Sequence, residues 1–162
     1  MVHSSPYTSN TILTLVVGNG ISCPANISSC SSAAPLYLVE LNTTGLVTKT
    51  PIDTGLTISS TDYYIGSLHR CADGTCVTFT GIDTVSGTNP GSTIPYFPNA
   101  DRVIGKIDSN SNIDLSTRIK DTIYTGIPKA VCSIDGSQYW VVGNTTNQRL
   151  CPSIMVKVPI LR

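Results

Sequence analysis

Apolar and polar residues alternate with a period near two along much of this chain, and no stretch keeps the three-to-four spacing of an amphipathic helix. The clearest runs are LTLVVG (13–18), CVTFTG (76–81) and QYWVVG (138–143), and each predicts a short strand closed by glycine. Their closing glycines, Gly18, Gly81 and Gly143, are 63 and 62 residues apart. Asp73-Gly74 and Asp135-Gly136 precede the second and third copies and read as tight hairpin turns, with Asn10 and Thr11 at the matching place in the first.

A second block repeats between these strands. Residues 36–50 and 102–116 each read as strand, polar turn and strand, and one offset of 66 residues aligns Leu41 with Ile107 and Val47 with Ile113. A third shared piece, 65–70 and 128–133, leads into the Asp-Gly turns. One complete unit is therefore expected to hold four strands, at about 65–70, 76–82, 102–108 and 113–120. Four sequential antiparallel strands repeating at a long fixed period predict an all-β fold of β-propeller-type blades, lengthened by insertions at 22–34 and 84–100. An immunoglobulin-like sandwich would also accommodate short strands and turns, but it does not require its second strand to resemble its sixth and tenth.

The strings HRCADGTCVTFTGID (69–83), RVIGKIDSNSNIDLST (102–117) and VCSIDGSQYWVVG (131–143) resemble a poorly characterised family of secreted β-propeller repeats. The resemblance covers most of residues 11–145. It implies the fold and an extracellular setting, and it carries over no catalytic residues. The chain departs from the family pattern at Ser111, which replaces a turn glycine, and in its cysteines at 71, 76 and 132. Blade fragments fall at about 11–53, 63–120 and 128–162, in all about two and a half blades. A closed ring needs roughly four to eight. The incomplete ring is expected to be completed by copies of the chain or by the remaining blades of a longer protein, because bare edge strands invite association.

Composition narrows the setting. Ten basic and ten acidic side chains balance, with Glu40 the single glutamate, so no basic field exists to recruit nucleic acid. No apolar run is long enough for a membrane-spanning helix, and residues 1–20 lack a basic start followed by a small-residue cleavage site. Six cysteines together with three Asn-x-Ser/Thr sequons, at Asn26, Asn42 and Asn144, point to an oxidising, secreted location with glycans on the surface. The cysteine spacings do not form paired zinc knuckles. The simplest disulfide scheme is local: Cys71 with Cys76 across the Asp73-Gly74 turn, Cys23 with Cys30 around a polar loop, and Cys132 with Cys151.

Candidate chemistry is sparse. Asp108, Asn110, Asn112 and Asp114 place oxygen side chains at alternate positions, the spacing of a Ca²⁺ loop, and calcium is the one cofactor that the spacing raises. The turn-forming habit of Asp, Asn and Ser explains the same residues without a metal. Trp140 is expected chiefly in the core and otherwise as a sugar platform, while Tyr96 and Phe97, in the long insertion, form the better contact surface. No convergent acid, base and nucleophile is visible; Asp62, Asp83 and Asp101 are the loop carboxylates that glycoside hydrolysis would draw on. The chain thus reads as a non-catalytic structural or adhesive protein that associates with itself or with a longer ring. The alternative is a lectin-like module that binds glycans.

Overall fold

The computed structural model describes residues 10–18, 33–59, 67–85, 100–120 and 127–144. Among them the chain forms nine strands and no helix: β1 (Thr11–Val17), β2 (Ala33–Asn42), β3 (Ile52–Ser59), β4 (His69–Arg70), β5 (Cys76–Ile82), β6 (Arg102–Asp108), β7 (Ile113–Ile119), β8 (Ile127–Ser133) and β9 (Tyr139–Asn144). Every pairing is antiparallel. The strands fall into three consecutive groups: β1–β3, β4–β7 and β8–β9. A single residue pair, Thr57 with Ile82, links β3 to β5 and joins the first two groups into one open sheet. The β8–β9 hairpin stands as a separate sheet.

Alternation along each strand sorts side chains between two interfaces. Leu36, Leu38, Leu56 and Ile58 of the first group share a buried cluster with Phe79, Val103 and Ile107 of the second. On the opposite face of the second group, Ile104 and Ile119 cluster with Val131, Tyr139 and Val141 of the third. The β4–β7 group is therefore a middle layer covered on both faces, which is why β5 is buried along nearly its whole length. Phe79 is fully buried, and its ring lies over Gly105, its cross-strand partner, where any Cβ would collide with it. Truncating so large a buried side chain typically costs about 3–5 kcal/mol.

The second interface is held by hydrogen bonds as well. Thr78 Oγ1 donates to the carbonyl of Val131 at 3.2 Å and Thr80 Oγ1 to that of Pro128 at 3.3 Å. The Ser67 hydroxyl and the backbone amides of Ala72 and Asp73 donate to the carbonyls of Lys129, Ser133 and Ile134. These donors occupy carbonyls along β8, the strand edge that β9 leaves bare, and so blunt it against non-specific pairing.

Three of the four strands expected for the complete unit appear almost residue for residue as β5, β6 and β7. The return strand expected within 36–50 does not. Val47 makes only an isolated bridge to Leu41, and regular pairing resumes at Ile52, opposite Leu38. Pro51 lies between them, and a residue without an N–H cannot donate to the ladder, so β3 begins just after it.

Candidate functional site

The site grows from that interruption. Asn42 opens the turn after β2: its Oδ1 accepts the amides of Thr44 at 3.0 Å and Leu46 at 2.9 Å, and Gly45 takes a left-handed φ of 82°. Beyond the turn, Thr48 N donates to the Glu40 carbonyl at 2.9 Å, and residues 48–51 then leave the ladder. Opposite them, Glu40 projects from β2 on the core-facing side, level with its cross-strand partner Leu13. Its side chain is 4% exposed. Oε1 accepts the Thr11 hydroxyl at 2.8 Å, and Oε2 pairs with Lys49 Nζ at 3.1 Å. A buried carboxylate is tolerated only when paired and hydrogen-bonded in this way.

A cleft of about 520 Å³ opens beside this pair. Leu13, Leu38 and Ile52 supply apolar wall; Glu40, Lys49, Thr48 and Thr50 supply charge and hydroxyls; Ser111, from the β6–β7 turn of the middle layer, closes the far side. Mixed apolar wall and hydroxyl donors suit a small polyhydroxylated molecule. The sequence signalled this place only weakly, through one glutamate set within the apolar run 36–41.

The calcium candidates occupy a turn of the same design. Asp108 Oδ1 accepts the amides of Asn110 at 2.8 Å and Asn112 at 2.9 Å, and Oδ2 accepts the Asn112 side-chain amide at 2.9 Å. The Asn112 side chain, then its backbone amide, hold the Asp108 carboxyl below the usual range. Asp114 accepts the Ser116 amide at 2.9 Å and pairs with Lys106 Nζ at 3.4 Å; the Ser116 hydrogen bonds lower its pKa first, and Lys106 adds to them. Turn and ion-pair chemistry thus accounts for both carboxylates. Among the described residues no three His, Cys, Asp or Glu side chains gather into a metal-holding group.

Trp140 lies on the outer face of the β8–β9 sheet, half-buried and opposite the exposed Cys132, while Tyr139 and Val141 face the core. Its expected place in the core belongs instead to those neighbours, because alternation turns it the other way. Asp83 and Asp101 both face Arg118: Asp83 forms a direct ion pair with its Nη1, and Asp101 Oδ2 lies 3.8 Å from the same nitrogen. His69, on β4, has a buried Nε2 with no hydrogen-bond partner among the described residues.

Cys71 and Cys76 form the expected disulfide across the Asp73-Gly74 turn, with Cα atoms 5.2 Å apart. Among the described residues Cys132 has no disulfide partner, and Cys151, expected to pair with it, lies outside them. Tyr96, Phe97, Cys23, Cys30, Cys151, Asn26 and Asp62 lie outside the described residues, as does the side chain of Asn144. Asn42 is half-exposed at its turn, where its Oδ1 also accepts the Thr44 hydroxyl of its own sequon at 2.8 Å. No described helix is long and apolar enough to cross a membrane. No protein family, curated protein or solved structure matches the chain.

Proposed function

We propose that this chain is a secreted, non-catalytic structural or adhesive protein built of β-propeller-type blades. Its ring is completed by copies of itself or by the rest of a longer protein. The observation that carries the reading is the stack: among the described residues, layers repeating at about 63 residues pack face on face through two apolar clusters. The motif resemblance supports the same architecture, and the Cys71–Cys76 disulfide with the three sequons supports an oxidising, glycosylated setting. Light scattering coupled to size exclusion tests it: assemblies larger than the 17.2 kDa chain are expected, and electron micrographs of them should show rings. A chain that remains a stable monomer at high concentration would refute self-association.

A second reading rests on the cleft beside Glu40. There the chain binds a small carbohydrate between layers, with Glu40 and Lys49 exchanging hydrogen bonds with its hydroxyls. Calorimetric titration with neutral mono- and disaccharides tests this, since Glu40→Gln should weaken any binding at least tenfold. Heats of dilution alone across such a panel would rule it out.

A further inference from the structure

We infer that Asn42 carries an N-linked glycan whose first sugar lies over Leu46; this rests on the secreted reading above. The sequon of Asn42, Thr43 and Thr44 lies whole within the described residues, on the turn that follows β2. Thr43, Thr44, Gly45 and Leu46 are exposed, and Asn42 is half-exposed. A glycan is bulky and hydrated, so it is tolerated on an outward turn of this kind and not on a packed strand face.

What marks Asn42 out is which of its side-chain atoms the turn uses. Its Oδ1 accepts three hydrogen bonds, from the Thr44 amide, the Thr44 hydroxyl and the Leu46 amide. Its Nδ2 donates to none of the described residues. The matching turn of the middle layer differs in this respect. There Asp108 Oδ1 accepts the amides of Asn110 and Asn112, and Oδ2 accepts the Asn112 side-chain amide, so both ends of the carboxylate are engaged. Leu46 stands where Asn112 stands and has no polar group to offer Nδ2.

Nδ2 is the atom that N-glycosylation modifies. It loses a proton and bonds to C1 of an N-acetylglucosamine supplied on a lipid pyrophosphate; the C1–O bond breaks, and the pyrophosphate leaves with the electron pair. The carbonyl half of the amide is unchanged, so every hydrogen bond to Oδ1 survives. A sugar on Nδ2 therefore leaves the turn intact.

The place of that sugar follows from the hairpin. Asn42 N donates to the Leu46 carbonyl at 2.9 Å, which sets Leu46 directly across from Asn42. Side chains of directly opposed residues lie on the same face, within reach of each other. Leu46 is 66% exposed. The C–H face of an N-acetylglucosamine ring is apolar enough to rest on such a side chain, while its hydroxyls stay in water.

Secretion of the full chain from cultured animal cells behind a cleavable leader, followed by glycopeptide mapping, tests the site. Peptide-N-glycosidase in heavy-oxygen water converts a glycosylated Asn to labelled Asp. Label at position 42 is expected, and Thr44→Ala should abolish it by removing the sequon. A secreted chain with the Cys71–Cys76 bridge but an unlabelled Asn42 would overturn the inference and leave the secreted reading standing. A chain retained in the cell would overturn both. Asn42→Asp separates sugar from turn: it should lose the glycan yet remain secreted and bridged, because Asp108 makes the same bonds to backbone amides. Misfolding of that variant would overturn the claim that Oδ1 alone serves the turn. In the glycosylated chain, nuclear Overhauser contacts are expected between the first sugar and the Leu46 methyls, and their absence would overturn the placement of the sugar.

Discussion

The turns at 42–46 and 108–112 open the β2–β3 and β6–β7 hairpins of consecutive layers, and the hydrogen bonds made by their backbone amides correspond one for one. In each, the first residue's Oδ1 accepts the amides two and four residues on; its N–H donates to the carbonyl four on; and its carbonyl accepts the amide three on, from a residue with left-handed φ. The residues differ: Asn42 and Gly45 in one, Asp108 and Ser111 in the other. Just before each turn stands a charge paired to the returning chain, but with opposite polarity, Glu40 with Lys49 and Lys106 with Asp114. Past the turn the hairpins diverge, since β7 pairs with β6 at once while Pro51 delays β3 and leaves the cleft. A turn motif thus sets local geometry independently of what its strands then do.

The largest expected effect separates the two charges. Glu40→Ala strips acceptors from Thr11 and Lys49 at a buried site, and urea unfolding should show a loss of about 2 kcal/mol, below the 3–5 kcal/mol of fully buried pairs because Lys49 is 47% exposed. Lys106→Ala, at a pair with both members partly exposed, should cost under about 1 kcal/mol. Equal losses would mean that burial does not distinguish the two sites.

The Asp-Gly hairpins provide a second contrast of the same kind. Cys71 and Cys76 correspond in the repeat to Ser133 and Gln138, so one hairpin is closed by a disulfide and the other by the Ser133 hydroxyl donating to the Gln138 carbonyl at 2.5 Å. Replacing both cysteines with serine should lower stability by about 2 kcal/mol, as expected for a short loop. Ser133→Ala should cost about 1 kcal/mol. Thermal unfolding of both variants ranks the two closures.

Exchanging the turn residues gives a smaller effect with two signs. Ser111 holds a φ of 65°, a conformation that a side chain disfavours, so Ser111→Gly should stabilise by about 0.5–1 kcal/mol and Gly45→Ser should destabilise by a similar amount. Nothing lies within 4 Å of a Cβ built on Gly45, so backbone strain alone would be measured there.

The smallest effect is pH-dependent and separates the 108–112 hairpin from the 42–46 hairpin. Asp108 and Asp114 have folded-state pKa values below their unfolded ones, so the unfolded chain binds more protons in that range and stability rises with pH. Their contribution is complete above the unfolded value of about 3.9 and is lost as pH falls through the lower folded values. Asn42 does not titrate. Asp108→Asn with Asp114→Asn should therefore make the pH dependence of stability below about pH 4 shallower, leaving the part that Asp135, lowered first by its Ser137 hydrogen bonds, contributes; an unchanged slope would place the acid sensitivity elsewhere.

Strand positions were legible where alternation, β-branched residues and turn dipeptides agreed, as in 76–82 and 102–119, and the Cys71–Cys76 bridge was legible because a hairpin turn brings its flanks together. β3 was missed because the repeat favoured 47–50, while one proline within the irregular stretch moved the pairing on to Ile52. Glu40 was noticed only as the sole glutamate, since its environment depends on chain segments distant in sequence: Thr11 is 29 residues away.

By itself the sequence determined the local geometry: an antiparallel β chain, its repeating period, its Asx and Asp-Gly turns and one short-range disulfide. Each depends on residues within a few positions of one another. Only the tertiary structure decided which face of each strand meets which layer, that Trp140 turns outward, and that a cleft forms beside Glu40. Those outcomes depend on how layers stack, and alternation defines two faces for every strand without saying which neighbour will cover either.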